Sequence, residues 1–259
     1  MGGHPRGEMA AQILMDNSRK AFLTSRKPIS SPRVFLSGLM DMTHQQIIEY
    51  GSQQTPPIEP RTTGVLCLIQ ENHAHWAHIG DSRLYIMRNG IIALRTDDHS
   101  YVEQLRQQGV ISVAQLHTHR FRNYVTRCLG GYNNHPVAEL GGPFPLEEGD
   151  TILLCSDGFW GALSERTLVD AIYKNAQPLV NVINSLSAQA ENNSKPESDN
   201  VTAIAIRWLI KNLNIQPADI SMSLTHNAAP QEKPRGSESE VQEAIDNLRQ
   251  LVDDIDTEE

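Results

Sequence analysis

The chain has 259 residues, 39% of them hydrophobic and 20% charged, which suits one sizeable globular domain with appendages. Its net charge of −9 is uneven: residues 231–259 hold ten acidic and three basic side chains, so the first 230 residues carry only −2. That excludes the basic footprint of a nucleic-acid binder; no run is apolar enough to span a bilayer, and residues 1–12 lack the apolar core of a secretory signal.

Residues 6–21 read as a helix on the spacing of Ala10, Ile13 and Leu14. A Ser/Pro break follows over residues 25–32. Residues 35–50 read as a second helix, with Phe35, Leu39, Met42 and Ile47 expected on its inner face. Residues 53–63 are polar and proline-rich, hence a loop. Residues 63–70, 74–79 and 83–87 are β-rich, and Arg88-Asn89-Gly90 turns the third run into residues 91–94, a strong hairpin signal. Residues 101–108 form a short helix closed by Gly109. The stretch 111–134 is irregular and polar. Residues 151–155 read as a buried strand, 163–174 and 179–191 as helices, and 201–208 as a strand. This order implies an α+β fold, with antiparallel sheets covered by helices rather than a βαβ repeat.

Residues 211–236 are polar and read as a flexible linker. Beyond them Val241, Ile245, Leu248, Val252 and Ile255 recur at coiled-coil spacing over two heptads. Two heptads are marginal in isolation. Residues 237–259 are therefore expected to form an acidic amphipathic tail helix that packs on its own domain, binds a partner or self-associates. Cys67, Cys128 and Cys155 lie far apart and read as thiols of a reducing cytoplasm, not as a disulfide framework or zinc site. Arg6 stands where N-myristoylation requires Ser or Thr.

Three aspartates fall at strand ends. Asp157 follows the apolar run 151–155, Asp199 precedes the run 201–206, and Asp81 follows the strand ending at Ile79. If the strands bearing Asp157 and Asp199 are antiparallel neighbours, both carboxylates reach one sheet edge, and Asp81 can reach it too. Carboxylates forced together repel unless a cation lies between them. Oxygen-only ligands suit Mg²⁺ or Mn²⁺, and paired ions of this kind activate water and clamp a phosphoryl group. Taken singly, an Asp in such a turn is more often a turn former or a helix cap.

Gly80-Asp81-Ser82-Arg83, Asp98-His99-Ser100, Ser156-Asp157-Gly158-Phe159-Trp160 and Ser198-Asp199-Asn200-Val201-Thr202 resemble, in order, the motifs of the metal-dependent serine/threonine phosphatases (PPM or protein phosphatase 2C type), bacterial members above all. The stretch from Asn123 to Gly130 resembles the family's segment ahead of its later strands. The resemblance spans residues 1–210. It implies a four-layer αββα sandwich and hydrolysis of phosphoserine and phosphothreonine on proteins by water held between two Mn²⁺ or Mg²⁺ ions. It implies that Asp157 and Asp199 bind the second ion, that Asp81 with Asp157 matches a third, and that Gly158 and Asn200 neighbour the site. Residues 111–122 correspond to the family's flap near the substrate cleft. The implied partners are phosphorylated proteins that Ser/Thr kinases modify, in the cytoplasm, with no nucleic acid or membrane.

Met1-Gly2-Gly3-His4 resembles the middle of a further family motif, Asp-Gly-Met-Gly-Gly-His, which places Gly2, Gly3 and His4 near the site. The bridging Asp of that motif and the family's first strands do not stand ahead of it here. The expectation is weak metal binding and little activity for these 259 residues alone. The rival is a non-catalytic phosphatase-like module that binds or scaffolds through its tail; a regulatory phosphatase of the anti-sigma type stays open, although Gly80-Asp81-Ser82-Arg83 leans away from it. His73 and His75 are expected at the surface and His78 packed, since alternate strand residues face opposite sides. His117 and His119 are expected in solvent, Asp98-His99 as a cap for the helix from Ser100, and Phe159 and Trp160 in the core.

Overall fold

The computed structural model describes residues 5–116, 118–132, 136–174, 177–195 and 200–209. Two helices open the chain, α1 (Gly7–Thr24) and α2 (Pro32–Ser52). Four strands follow: β1 (Gly64–Gln70), β2 (His73–Ile79), β3 (Arg83–Arg88) and β4 (Ile91–Arg95). Then come α3 (Tyr101–Gln107), the single turn α4 (Val113–Leu116), β5 (Glu139–Pro145) and β6 (Thr151–Cys155). The described residues close with α5 (Asp157–Trp160), α6 (Glu165–Tyr173), α7 (Leu179–Asn193) and β7 (Ala203–Arg207).

The strands form two antiparallel sheets, ordered β1-β2-β5 and β4-β3-β6-β7. Side-chain alternation sorts the core into three slabs. Ala74 and Trp76 of β2 meet Leu84 and Ile86 of β3 and Ile152 of β6 between the sheets. On the outer face of the first sheet, Leu68, Ala77 and Ile79 bury α1 and α2 through Ala10, Leu14, Leu36, Met40 and Ile47. On the outer face of the second, Tyr85, Met87, Leu153 and Cys155 bury α6 and α7 through Leu168, Ile172, Val182 and Leu186. The result is the expected helix–sheet–sheet–helix sandwich. At its margin, Ile204 and Ile206 of β7 share the inter-sheet face with their cross-strand partners Leu154 and Ile152, yet are 53% and 44% exposed.

The structure differs from the sequence reading at several points. The buried stripe of α2 is Leu36, Leu39, Met40, Thr43, His44 and Ile47; Phe35 and Met42 sit half-buried on its flank. Thr43 and His44 enter the core because they find polar partners: Thr43 accepts from Asn17, and His44 Nδ1 accepts from Gly130 N–H at 3.0 Å. The segment 111–134 contains the single turn α4. Strand β5 has no counterpart in the sequence reading, because Gly141, Gly142, Pro143 and Pro145 break its pattern. Packing requires one of those glycines: a Cβ at Gly141 would lie 2.1 Å from the Trp76 ring. The linker 211–236 and the tail helix 237–259 lie outside the described residues.

Asp150 pins the far end of the second sheet. Its carboxylate accepts two bonds from Arg88, each 2.8 Å, and one from Glu147 N–H at 2.8 Å. Its carbonyl accepts from Trp208 N–H at 2.8 Å. Burial alone raises this carboxyl's pKa, but the Arg88 guanidinium and the Glu147 N–H outweigh it and hold Asp150 below the usual carboxylate range. A depressed folded-state pKa contributes stability above the unfolded value, which is lost as pH falls through the folded one. Asp150→Ala is therefore expected to cost about 3 kcal/mol at neutral pH by urea unfolding. The gap to the parent protein should shrink below about pH 3.9, the ordinary Asp value; a gap independent of pH contradicts the assignment.

Candidate metal centre

Strand register builds one edge of the second sheet. Arg83 of β3 pairs with Cys155 of β6, and Cys155 pairs with Ala203 of β7. The start of β3, the end of β6 and the start of β7 therefore stand in line. Asp81 lies in the turn just before β3, and Asp157 two residues past the Cys155 pair. Beyond that pair Ser156 continues the stitching: its N–H donates to Thr202 O at 3.0 Å, its hydroxyl donates to Asn200 O at 3.0 Å, and Thr202 N–H returns a bond to the hydroxyl at 3.1 Å. The expected antiparallel pairing and the approach of Asn200 to this edge are thus present. Asp199, Gly2, Gly3 and His4 lie outside the described residues.

Asp81 is buried in a turn that only glycine can precede. Gly80 has φ +95°, and a Cβ there would stand 2.3 Å from the Thr63 side chain. Burial chiefly, then the charges of Asp157 and Asp98, push the Asp81 carboxyl up to about 7. The adjacent Arg83 offsets this only weakly, because its guanidinium is committed elsewhere. It grips Asp98 with two bonds, 2.8 Å from Nε and 2.7 Å from Nη2, and donates to the Tyr85 hydroxyl at 2.9 Å. Its Cζ lies 3.3 Å from the centre of the Trp160 ring. Trp160 Nε1–H in turn donates to the Asp81 carbonyl at 2.9 Å. Asp157 opens α5, with Oδ1 accepting from Gly158 N–H at 3.0 Å.

This latch corrects two sequence expectations. Asp98 does not cap α3; Ser100 does, accepting from Glu103 N–H at 3.3 Å, while Asp98 faces Arg83. Phe159 is core, as expected, but Trp160 is half-buried as the platform beneath Arg83. Arg83, Asp98 and Trp160 all stand inside the resembling motifs, yet nothing in the spacing pairs them with one another.

His78 is packed, as expected, and His73 and His75 are half-buried. The structure adds what spacing did not reveal: His78 stacks on His99, ring centres 4.7 Å apart, and Glu139 is the cross-strand partner of His78. Ligand atoms of the three lie within 4.8 Å of one another. Hydrogen-bond accounting argues against an ion there. His99 Nδ1 accepts from Gly80 N–H at 3.1 Å, so its other nitrogen carries the proton and faces Glu139 at 3.3 Å. Neither His99 nitrogen retains a spare lone pair. The stack instead braces the Gly80-Asp81 turn, since His99 N–H also donates to Gly80 O at 2.9 Å.

A buried carboxyl beside two further acids, with its neighbouring guanidinium spent on one of them, is a donor set that fits a hard divalent cation. A model of the family described as protein phosphatase 2C matches residues 2–198. The serine/threonine phosphatase stp of Listeria monocytogenes is 27% identical over 208 residues, 80% of this chain and 81% of that protein. The crystal structure of the serine/threonine phosphatase Stp1 from Staphylococcus aureus superposes with a TM-score of 0.72 at 25% identity, over 80% of both chains. The catalytic domain of the phosphatase PstP, solved in complex with 2 manganese ions, superposes with a TM-score of 0.68 at 25% identity, covering 81% of this chain and 85% of that one. The motifs, the sandwich, the acidic sheet edge and these matches agree: the chain belongs to the protein phosphatase 2C family of metal-dependent serine/threonine protein phosphatases.

Proposed function

We propose that this chain removes phosphate from phosphoserine and phosphothreonine on proteins that Ser/Thr kinases have modified, with Asp81, Asp157 and Asp199 as metal ligands. The observation that carries the reading is the burial of Asp81 against the Asp157 charge at the edge where β3, β6 and β7 line up. In this reading Asp157 and Asp199 hold one ion, Asp157 with Asp81 holds a further one, and Asn200 and Gly158 shape the rim. Manganese or magnesium fits these oxygen donors, and the PstP catalytic domain carries two manganese ions. When bound, such ions activate water and neutralise charge on the phosphoryl group. The chain's own residues set positions: the Gly80 turn fixes Asp81, the Ser156 bonds fix the approach of Asn200, and α5 fixes Asp157. The free thiols, at positions 67, 128 and 155, fit a reducing cytoplasm. Among the described residues, no helix is long and apolar enough to cross a membrane.

Asp81, Asp157 and Asp199 alone offer few oxygens for a paired-ion centre. Hydrolysis by the 259 residues by themselves is accordingly expected to be slow. The rival is a non-catalytic module acting through residues 237–259, and one assay separates the two. Phosphate release from a phosphothreonine peptide is followed against Mn²⁺ for the 259-residue chain and for a version extended by any in-frame codons upstream of Met1. The extended protein should turn over with metal, lose activity to a chelator, and fall at least about a hundredfold on Asp157→Asn. No metal-dependent release from it overturns the phosphatase reading, and equal rates for both versions overturn the expected weakness.

Arg83 acts on this site as a positioning residue through Trp160 and Asp98. Its side chain and that of Asp98 are only 10% and 11% exposed, so removing one leaves the other's charge buried. Arg83→Met should destabilise the fold by roughly 3 kcal/mol in urea. The double variant Arg83→Met with Asp98→Leu should recover a large part of that loss, because neither charge is then stranded. Additive losses in the double variant contradict a coupled pair.

A further inference from the structure

Between Gln104 and Ala138 the sequence contains four arginines and no acidic residue, in a chain whose net charge is −9. Arg106 is paired with Glu103. Arg120, Arg122 and Arg127 are exposed, and among the described residues none of them makes an ion pair. They are interleaved with exposed aromatics: Tyr101, Phe121 and Tyr124 are 37%, 41% and 61% exposed. The rings of Phe121 and Tyr124 both stand edge-on to Tyr101, centres 5.8 and 6.3 Å away, and the Arg120 guanidinium lies over Phe121 at 4.4 Å. Arg120 thus joins the assembled rings, and Arg122 and Arg127 add exposed positive charge from the same short segment.

Hydrogen bonds fasten this surface to the acidic edge. Tyr101 N–H donates to Tyr124 O at 2.9 Å, and Thr126 donates to His99 O from both its N–H, at 2.8 Å, and its hydroxyl, at 3.0 Å. His99 in turn bonds Gly80 at both its N–H and its ring. One short chain of contacts therefore runs from the arginine segment to the turn that carries Asp81. The Arg127 charge reaches the His99 ring, where burial first, then His78 and Arg127, lower the pKa.

We infer that Arg120, Arg122 and Arg127, with the aromatic trio, form a docking surface for the acidic flank of a phosphorylated peptide, so that substrates with Asp or Glu beside the phosphorylated residue are preferred. This rests on the reading of the Asp81–Asp157 edge as the place where the phosphate is bound. Complementary charge supplies the selectivity, and the rings supply apolar area next to it. A nucleic acid is the other polymer that takes to arginine and aromatic surface, but three arginines on residues 1–230, which carry −2 overall, are too small a basic footprint for one.

The test is binding, so it does not require turnover. Fluorescence anisotropy of the 259-residue protein is measured with labelled phosphothreonine peptides of acidic, neutral and basic flanks, the unphosphorylated acidic peptide, and an oligonucleotide of similar length. The acidic phosphopeptide should bind about tenfold tighter than the neutral one. That margin should shrink as salt is raised, and collapse in Arg120→Gln/Arg122→Gln/Arg127→Gln, whose melting temperature should match the parent. Equal affinity for all flanks, a margin insensitive to salt, or tighter binding of the oligonucleotide overturns the inference. A preference for acidic flanks to which the phosphate adds nothing upholds the docking surface and counts against the phosphatase reading instead.

Discussion

A carboxyl buried beside other acids must be compensated or stay protonated, and the acidic edge of the second sheet is arranged around that constraint. Asp81 is buried beside Asp157 and Asp98, and its carboxyl is displaced to about 7, so at neutral pH the charged form is poorly tolerated by the protein alone. The nearby guanidinium does not settle the account, because Arg83 is held by Asp98, Tyr85 and Trp160. On the proposed reading, a divalent cation bound by Asp81 and Asp157 would supply that compensation. In this account the local fold invests stability in an arrangement that is favourable only with the ion present.

That arrangement depends on the register of the second sheet more than on any single residue. Because β3, β6 and β7 align at Arg83, Cys155 and Ala203, segments distant in sequence end at one line. The two sheets pack face to face through Trp76, Leu84, Ile86 and Ile152, and each carries helices on its outer side. The sandwich therefore fixes the edge from both faces. Further bracing comes from the His78–His99 stack behind Gly80 and from the Trp160 bond to the Asp81 carbonyl. These groups act through position, and none needs to contact a substrate.

Much of this was legible in the sequence because the relevant signals are local. The Asn89-Gly90 hairpin, with φ of +51° and +78° at its two residues, and the apolar run of β6 follow from turn chemistry and patterning. The α+β layering followed from element order. What escaped was non-local. Strand β5 hides behind two glycines and two prolines, although Gly141 is needed where Trp76 approaches. The Arg83–Asp98 clamp joins residues fifteen apart, and the approach of His99 to Gly80 joins residues nineteen apart; spacing along a chain does not encode either. The inner face of α2 was misjudged because polar Thr43 and His44 are buried with partners that only the fold reveals.

The function of this sheet edge turns on whether the Asp81 and Asp157 carboxylates share a cation. Electron paramagnetic resonance of Mn²⁺ reads this directly, since the signal of the hydrated ion disappears on binding. Titrating the ion into the parent chain, Asp81→Asn and Asp157→Asn at constant pH should show saturable binding by the parent. Each variant should bind at least about tenfold more weakly, the loss of one carboxylate ligand. Identical titration curves for all three proteins would contradict a shared ion at this edge.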